Sequence, residues 1–114
     1  MAADESIIAE VLSLVPQQWP FRFIDEILSL NEEEICGTYR FREDEVFYPG
    51  HFPGRPVTPG VILVECMAQI GVVAYGLYLL SCQINVRPVE MKSPLALFSL
   101  ADGVEFRGIV LPGE

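Results

Sequence analysis

Ile7, Ile8, Val11, Leu12 and Val15 fall on one apolar stripe at helical spacing, which predicts a short amphipathic helix over 6–15. Asp4 or Ser6 stands ahead of it as the cap. Pro16 to Pro20 breaks the pattern. Phe21 to Leu30 and Ile35 to Arg42 then read as two strands, joined in a hairpin around Asn31-Glu32-Glu33-Glu34, whose acidic triplet reads as a solvated turn. Further on, Thr58 as N-cap with Pro59 in the first helical position starts a helix that runs to about Ser81. Residues 83–94, with Pro88 and Pro94, read as a loop or short linker, and Leu95 to Arg107 as further strand. There are no internal repeats and no low-complexity segments.

The stretch from Pro59 to Leu80 is apolar on almost every face, and its 22 residues at about 1.5 Å rise would reach across a bilayer core. Glu65 and Gln69 lie inside it, a central charge costs roughly 2.5–3.5 kcal/mol on insertion scales, and neither end is flanked by Lys or Arg. A helix with this pattern is expected to be buried in protein rather than in lipid. Gly71 and Gly76 are poor helix formers, and a close approach of a sheet or a partner chain is expected there.

The candidate chemistry sits at the start of this helix. Gly50-His51-Phe52-Pro53-Gly54-Arg55-Pro56-Val57-Thr58-Pro59-Gly60-Val61 holds three prolines and three glycines, so the backbone there is stiff in places and special in others. His51 is the only histidine, and Glu65, 14 residues on, is the only charged residue of the apolar helix. Histidine titrates nearest neutrality and suits a general base. A carboxyl among apolar side chains has its neutral form favoured and suits an acid. Gln69, four residues after Glu65, shares its helix face. Plainer readings stand beside these: a structural carboxylate at Glu65, a histidine that merely holds its turn, and an orienting hydrogen-bond partner at Gln69. Cys66 and Met67 read as core packing.

Composition narrows the classes. At 114 residues and 51% apolar the chain fits one domain with surplus apolar surface, as an oligomer interface or a ligand tunnel would need. Cys36, Cys66 and Cys82 are odd in number and form no C-x-x-C pair, so neither a disulfide framework nor a zinc site is indicated. The acidic start Met1-Ala2-Ala3-Asp4-Glu5 lacks the features of a secretory signal, and a cytoplasmic location is expected. A net charge of -9 with only seven Lys and Arg argues against nucleic acid.

The residues quoted above resemble a known family, the 3-hydroxyacyl-acyl-carrier-protein dehydratases of bacterial fatty acid synthesis. His-Phe-Pro-Gly-x-Pro-Val-x-Pro-Gly-Val, then x-x-x-Glu-x-Met-Ala-Gln, reads without a gap from His51 to Gln69. Upstream, Leu14-Val15-Pro16 and Pro20-Phe21-Arg22-Phe23-Ile24-Asp25 resemble its opening strand; downstream, Phe106-Arg107 and Leu111-Pro112-Gly113-Glu114 resemble its Pro-Gly-acid turn. Two departures stand out. Pro16-Gln17-Gln18 replaces the family's frequent Pro-His-Arg, and the family continues for several strands past that turn whereas this chain stops at Glu114. A single hotdog domain over 1–114, incomplete at its carboxy end, is therefore expected.

The resemblance implies an α+β hotdog fold, a long central helix wrapped by a curved antiparallel sheet. It implies reversible loss of water from a 3-hydroxyacyl thioester to give the trans-2-enoyl thioester. His51 would be the base and Glu65 the acid, with Gly60 polarising the thioester carbonyl and Gly54, Phe52, Val61 and Gln69 near the substrate. No metal or other cofactor is implied, since the 4'-phosphopantetheine arm arrives with the substrate. The partner would be the acyl carrier protein, and the assembly a homodimer or trimer of dimers, with the histidine of one chain facing the glutamate of the other. Phe21, Phe23, Leu97 and Phe98 are candidates for an acyl tunnel, although aromatics in strands are more often core. Carriers are acidic, so docking would draw on Arg22, Arg40, Arg42, Arg55, Arg87, Lys92 or Arg107. A hotdog thioesterase and a non-catalytic acyl-binding subunit are the alternatives.

Overall fold

The computed structural model describes residues 2–91 and 101–114. Helix α1, Glu5–Leu14, starts where expected: Asp4 Oδ1 accepts the Ile7 N–H at 2.9 Å, a bond that also holds the Asp4 carboxyl below its usual range. Strands β1, Glu26–Leu30, and β2, Ile35–Thr38, form an antiparallel hairpin with Glu26 opposite Thr38 and Leu30 opposite Ile35. Asn31 closes it, its Oδ1 accepting the N–H groups of Glu33 and Glu34 at 2.7 and 2.9 Å. The register slips between Ile27 and Ser29, so Leu28 bulges out exposed.

Both strands are shorter than the sequence predicts, for a physical reason. The backbone of Phe21 to Phe23 is extended but bonds to side chains of the long helix instead of to a neighbouring strand. Beyond Thr38 the chain turns to meet its own carboxy-terminal segment, with Phe41 and Glu114 joined N–H to carbonyl at 2.8 Å and Gly113 and Phe41 at 2.8 Å. Of the strand expected over Leu95 to Arg107, residues 95–100 lie outside the described residues. Residues 101–107 form no ladder, and Gly103 sits there at φ +65°.

The central helix is built in three parts, α2 (Gly60–Ala68), a wider π-helical turn (Gln69–Ala74) and α3 (Tyr75–Ile84). It outruns the expected end at Ser81, and Asn85 in the left-handed conformation stops it. Thr58 is not its N-cap. Its hydroxyl is committed to Tyr48 at 2.6 Å, and Pro59 takes the cap position without a side-chain bond. A short 3-10 turn, Pro88–Glu90, docks against α1 through hydrogen bonds from Arg87 and the Val89 N–H to Glu10.

Two apolar clusters hold these parts together. Val11, Val15, Ile24, Ile27, Leu30, Val73, Ala74, Leu77 and Tyr78 pack α1, the hairpin and the second half of the helix. Phe23, Phe41 and Tyr48, with Tyr39, Phe47, Ile62, Leu63, Cys66 and Val110 around them, join the residues before His51 to the first half. Burial of the helix is met on one face only. Val61, Met67, Val72, Leu80 and Ile84 stay exposed, and Gly60–Ile84, with mean hydropathy 1.8, is long and apolar enough to cross a membrane by length and composition. Among the described residues nothing comes within 4 Å of a Cβ at Gly71 or Gly76, so they make no sheet contact there. The close contact is at Gly37 instead, where a Cβ would meet the Glu26 carbonyl oxygen at 3.0 Å and Ile70 at 3.1 Å.

Phe23 is the hub of the aromatic cluster, with ring centroids of Phe21, Tyr39, Phe41 and Phe47 at 5.0, 5.5, 6.0 and 6.2 Å. Replacing it with alanine should cost about 3–5 kcal/mol in urea unfolding, the usual range for a buried phenylalanine. A loss under about 1 kcal/mol would mean that these rings are not what joins the loop to the helix.

Candidate active site

His51 follows a 3-10 turn, Tyr48–Gly50, and its N–H donates to the Tyr48 carbonyl at 3.1 Å. Two bonds then tie it to Val57: the Val57 N–H donates to the His51 carbonyl at 2.9 Å, and the imidazole Nδ1 lies 2.9 Å from the Val57 carbonyl oxygen. A carbonyl only accepts, so Nδ1 carries the proton and Nε2 of the neutral ring keeps its lone pair. The Phe52 ring stacks on the imidazole with centroids 4.1 Å apart and planes at 25°. Between these anchors the chain makes a tight turn closed by two backbone bonds between Phe52 and Arg55, at 3.1 and 2.9 Å. Pro53 fixes one φ and Gly54, at φ +71°, supplies the other, so Gly54 shapes the loop.

Glu65 projects from α2, and Gln69 Nε2 donates to its Oε2 at 2.8 Å. Gln69 is fully buried; its other N–H goes to the Phe21 carbonyl at 2.9 Å and its Oε1 accepts the Phe23 N–H at 2.7 Å. Both its N–H donors and one lone pair of its Oε1 are engaged within the chain, and one of those donors holds the Glu65 carboxylate. Among the described residues, Glu65 is the single polar side chain lining a cavity of about 440 Å³ whose other walls are Val61, Val64, Ala101, Val104 and Phe106. Val61 is thus one of its apolar walls. Phe23 is core and does not line this cavity, nor does Phe21; Leu97 and Phe98 lie outside the described residues.

Gly60 opens the helix, and neither its N–H nor that of Val61 has an acceptor among the described residues. Both are therefore free to polarise a carbonyl at the positive end of the helix dipole. Phe106 covers Gly60 so closely that a Cβ there would meet the tip of its ring at 2.8 Å and oblige that half-exposed ring to shift. Among the described residues no bond joins His51 to Glu65, and the cavity beside Glu65 does not include His51.

The cations are mostly spent within the chain. Arg22 donates to the carbonyls ending α1, Arg40 to the Gly113 carbonyl, Arg42 pairs with Asp44 and Glu45, Arg87 with Glu10, and Arg107 with Glu105. Lys92 lies outside the described residues. Arg55, exposed on the His51 loop, has no ion pair or side-chain hydrogen bond among them. Sequence reasoning missed Tyr48 and Thr58 as supports of the loop, because their hydroxyls meet ten residues apart and leave no local pattern.

The chain matches the family model described as the FabA-like domain over residues 15–114. It is 36% identical over 109 residues to the 3-hydroxyacyl-acyl-carrier-protein dehydratase FabZ of Geobacter metallireducens, covering 94% of this chain and 67% of that protein. The FabZ of a Roseiflexus species is 38% identical over 108 residues, with 94% and 68% covered. The bifunctional enzyme LpxC/FabZ of Porphyromonas gingivalis is 38% identical over 107 residues, which span 94% of this chain and 21% of that protein.

Cys66, next to Glu65, is a bystander by its environment. Its thiol donates to the Phe23 carbonyl at 3.2 Å, and burial pushes it up to about 11, so it stays protonated at neutral pH. At pH 8 iodoacetamide should modify exposed Cys36 at least roughly a hundredfold faster than Cys66, whose rate should climb as pH rises toward its own titration. Equal rates at pH 8, followed by peptide mass spectrometry, would contradict this environment.

Proposed function

The chain belongs to the FabA-like domain family, and from that membership we propose that it reversibly dehydrates 3-hydroxyacyl-acyl-carrier-protein thioesters to trans-2-enoyl thioesters. It is then a hydro-lyase of fatty acid biosynthesis. The observation that carries the residue roles is the imidazole held through Nδ1, with Nε2 left as the base, together with a carboxyl oriented at the edge of an apolar cavity. His51 Nε2 takes the proton from C2, the C2–C3 double bond forms, and the C3–O bond breaks as Glu65 protonates the departing hydroxyl to water. The Gly60 and Val61 amides stabilise the negative charge that develops on the thioester oxygen. Return of the proton from His51 to Glu65 resets the site.

The lack of a bond between His51 and Glu65 among the described residues supports a site completed across a homodimer, with the exposed apolar face of the helix as the surface that such an assembly covers. The thioester's arm and its acidic carrier meet the chain at the His51 loop, where Arg55 is the cation free to pair with them. Loss of its charge in Arg55→Ala should raise KM for carrier-bound substrate and weaken its salt dependence, leaving kcat unchanged. An unchanged KM at low salt would remove Arg55 from docking.

Hydration of crotonyl and longer enoyl thioesters, followed by loss of enoyl absorbance without release of free thiol, tests the reaction against simple hydrolysis. His51→Ala and Glu65→Gln should each lower the rate by ~10²–10⁴-fold with the circular dichroism of the parent retained. Mixing the two inactive variants should restore about a quarter of parental activity, because about half the dimers are mixed and each holds one intact site of two. No recovery after verified subunit exchange would place both residues of a site in one chain.

A further inference from the structure

Among the described residues the most deeply buried titratable side chain is Glu45. It is 1% exposed, beside Phe41 and Tyr48, which are themselves buried. Its Oε2 accepts from the Tyr39 hydroxyl and from the Arg42 backbone N–H at 3.1 Å, while Oε1 lies 3.4 Å from the Arg42 guanidinium. Burying a carboxylate is costly, and a satisfied buried ion is often no more stabilising than an apolar residue of its size. What the carboxylate adds is direction.

That direction leads to His51. The backbone from Arg42 onward climbs in three successive turns: Glu45 N–H to Arg42 carbonyl at 3.3 Å, Tyr48 N–H to Glu45 carbonyl at 3.2 Å, and His51 N–H to Tyr48 carbonyl at 3.1 Å. Each step begins where the previous one ends, so a tilt at Glu45 is passed up to the imidazole. Tyr48 is also fixed sideways to Thr58, next to the Val57 carbonyl that holds Nδ1. Glu45 is therefore the foot of the staircase, and its side chain is too buried to touch a substrate.

We propose that Glu45 is a positioning residue for His51, setting the turn geometry that holds Nδ1–H on the Val57 carbonyl and presents Nε2 to the substrate. This rests on the reading of His51 as the base, but one readout is independent of catalysis. His51 is the only histidine in the sequence, so nitrogen-15 signals of the imidazole report its tautomer directly.

The experiment compares Glu45→Gln and Tyr39→Phe with the parent in the catalytically active protein. Glu45→Gln should lower kcat by about 10- to 100-fold with KM within about twofold, the scale of loss expected from slight misplacement of a reacting group. Its imidazole signals should move from the single Nδ1–H tautomer toward a mixture of both. Tyr39→Phe, which removes one donor, should move both readouts in the same direction by less. Unchanged tautomer signals in a folded Glu45→Gln variant would overturn the proposal, whether or not activity falls. Should Glu45→Gln fail to fold, Tyr39→Phe decides by the same two readouts, and parental values of both overturn it. A parent that hydrates no enoyl thioester would defeat the functional reading, yet the tautomer comparison would still stand.

Discussion

One buried amide organises this molecule. Gln69 sits at the first residue of the π-helical turn and spends both N–H groups and its carbonyl oxygen on Phe21, Phe23 and Glu65. Without it the extended backbone at Phe21 to Phe23 would face an apolar helix with polar groups unmet, at about 1–3 kcal/mol for each one stranded. With it, a stretch that has no neighbouring strand is tied to the helix, and the same side chain sets the direction of the Glu65 carboxyl. Fold and candidate chemistry share a single fastening.

The rest of the site follows from where that fastening puts Phe23. Its ring anchors the aromatic cluster that includes Phe41, Phe47 and Tyr48, the residues on either side of the turns leading to His51. The carboxy-terminal segment closes the same region, because the Thr58 N–H donates to the Val110 carbonyl at 2.9 Å and Gly113, at φ +89°, follows Pro112 in a second tight turn. The loop of the candidate base, the start of the candidate acid's helix and the end of the chain are thus packed as one block.

What was legible in the sequence was what depends on near neighbours. The apolar stripe of α1 and its Asp4 cap, the hairpin around Asn31 and the long apolar helix are all local patterns, and the structure carries each of them. What failed depended on distant partners. Thr58 and Pro59 form a sound helix-start signal, but Tyr48, ten residues earlier, claims the hydroxyl. Phe21 to Asp25 has the composition of a strand, yet Phe21 and Phe23 bond to side chains more than forty residues on. Nothing local marks Glu45, yet it is among the most buried side chains of the described residues.

The bond from His51 Nδ1 to Val57 has a consequence for how the ring handles charge. A proton arriving at Nε2 leaves the Nδ1–H bond intact, so imidazole and imidazolium share one orientation and the ring need not rotate between them. The Phe52 face stacked on it then lies against a cation, an arrangement favoured by the ring quadrupole and worth about 0.5–1 kcal/mol at an exposed site. The aromatic neighbour in the loop therefore serves the charged state as well as the packing, and proton uptake asks for little reorganisation of the protein around it.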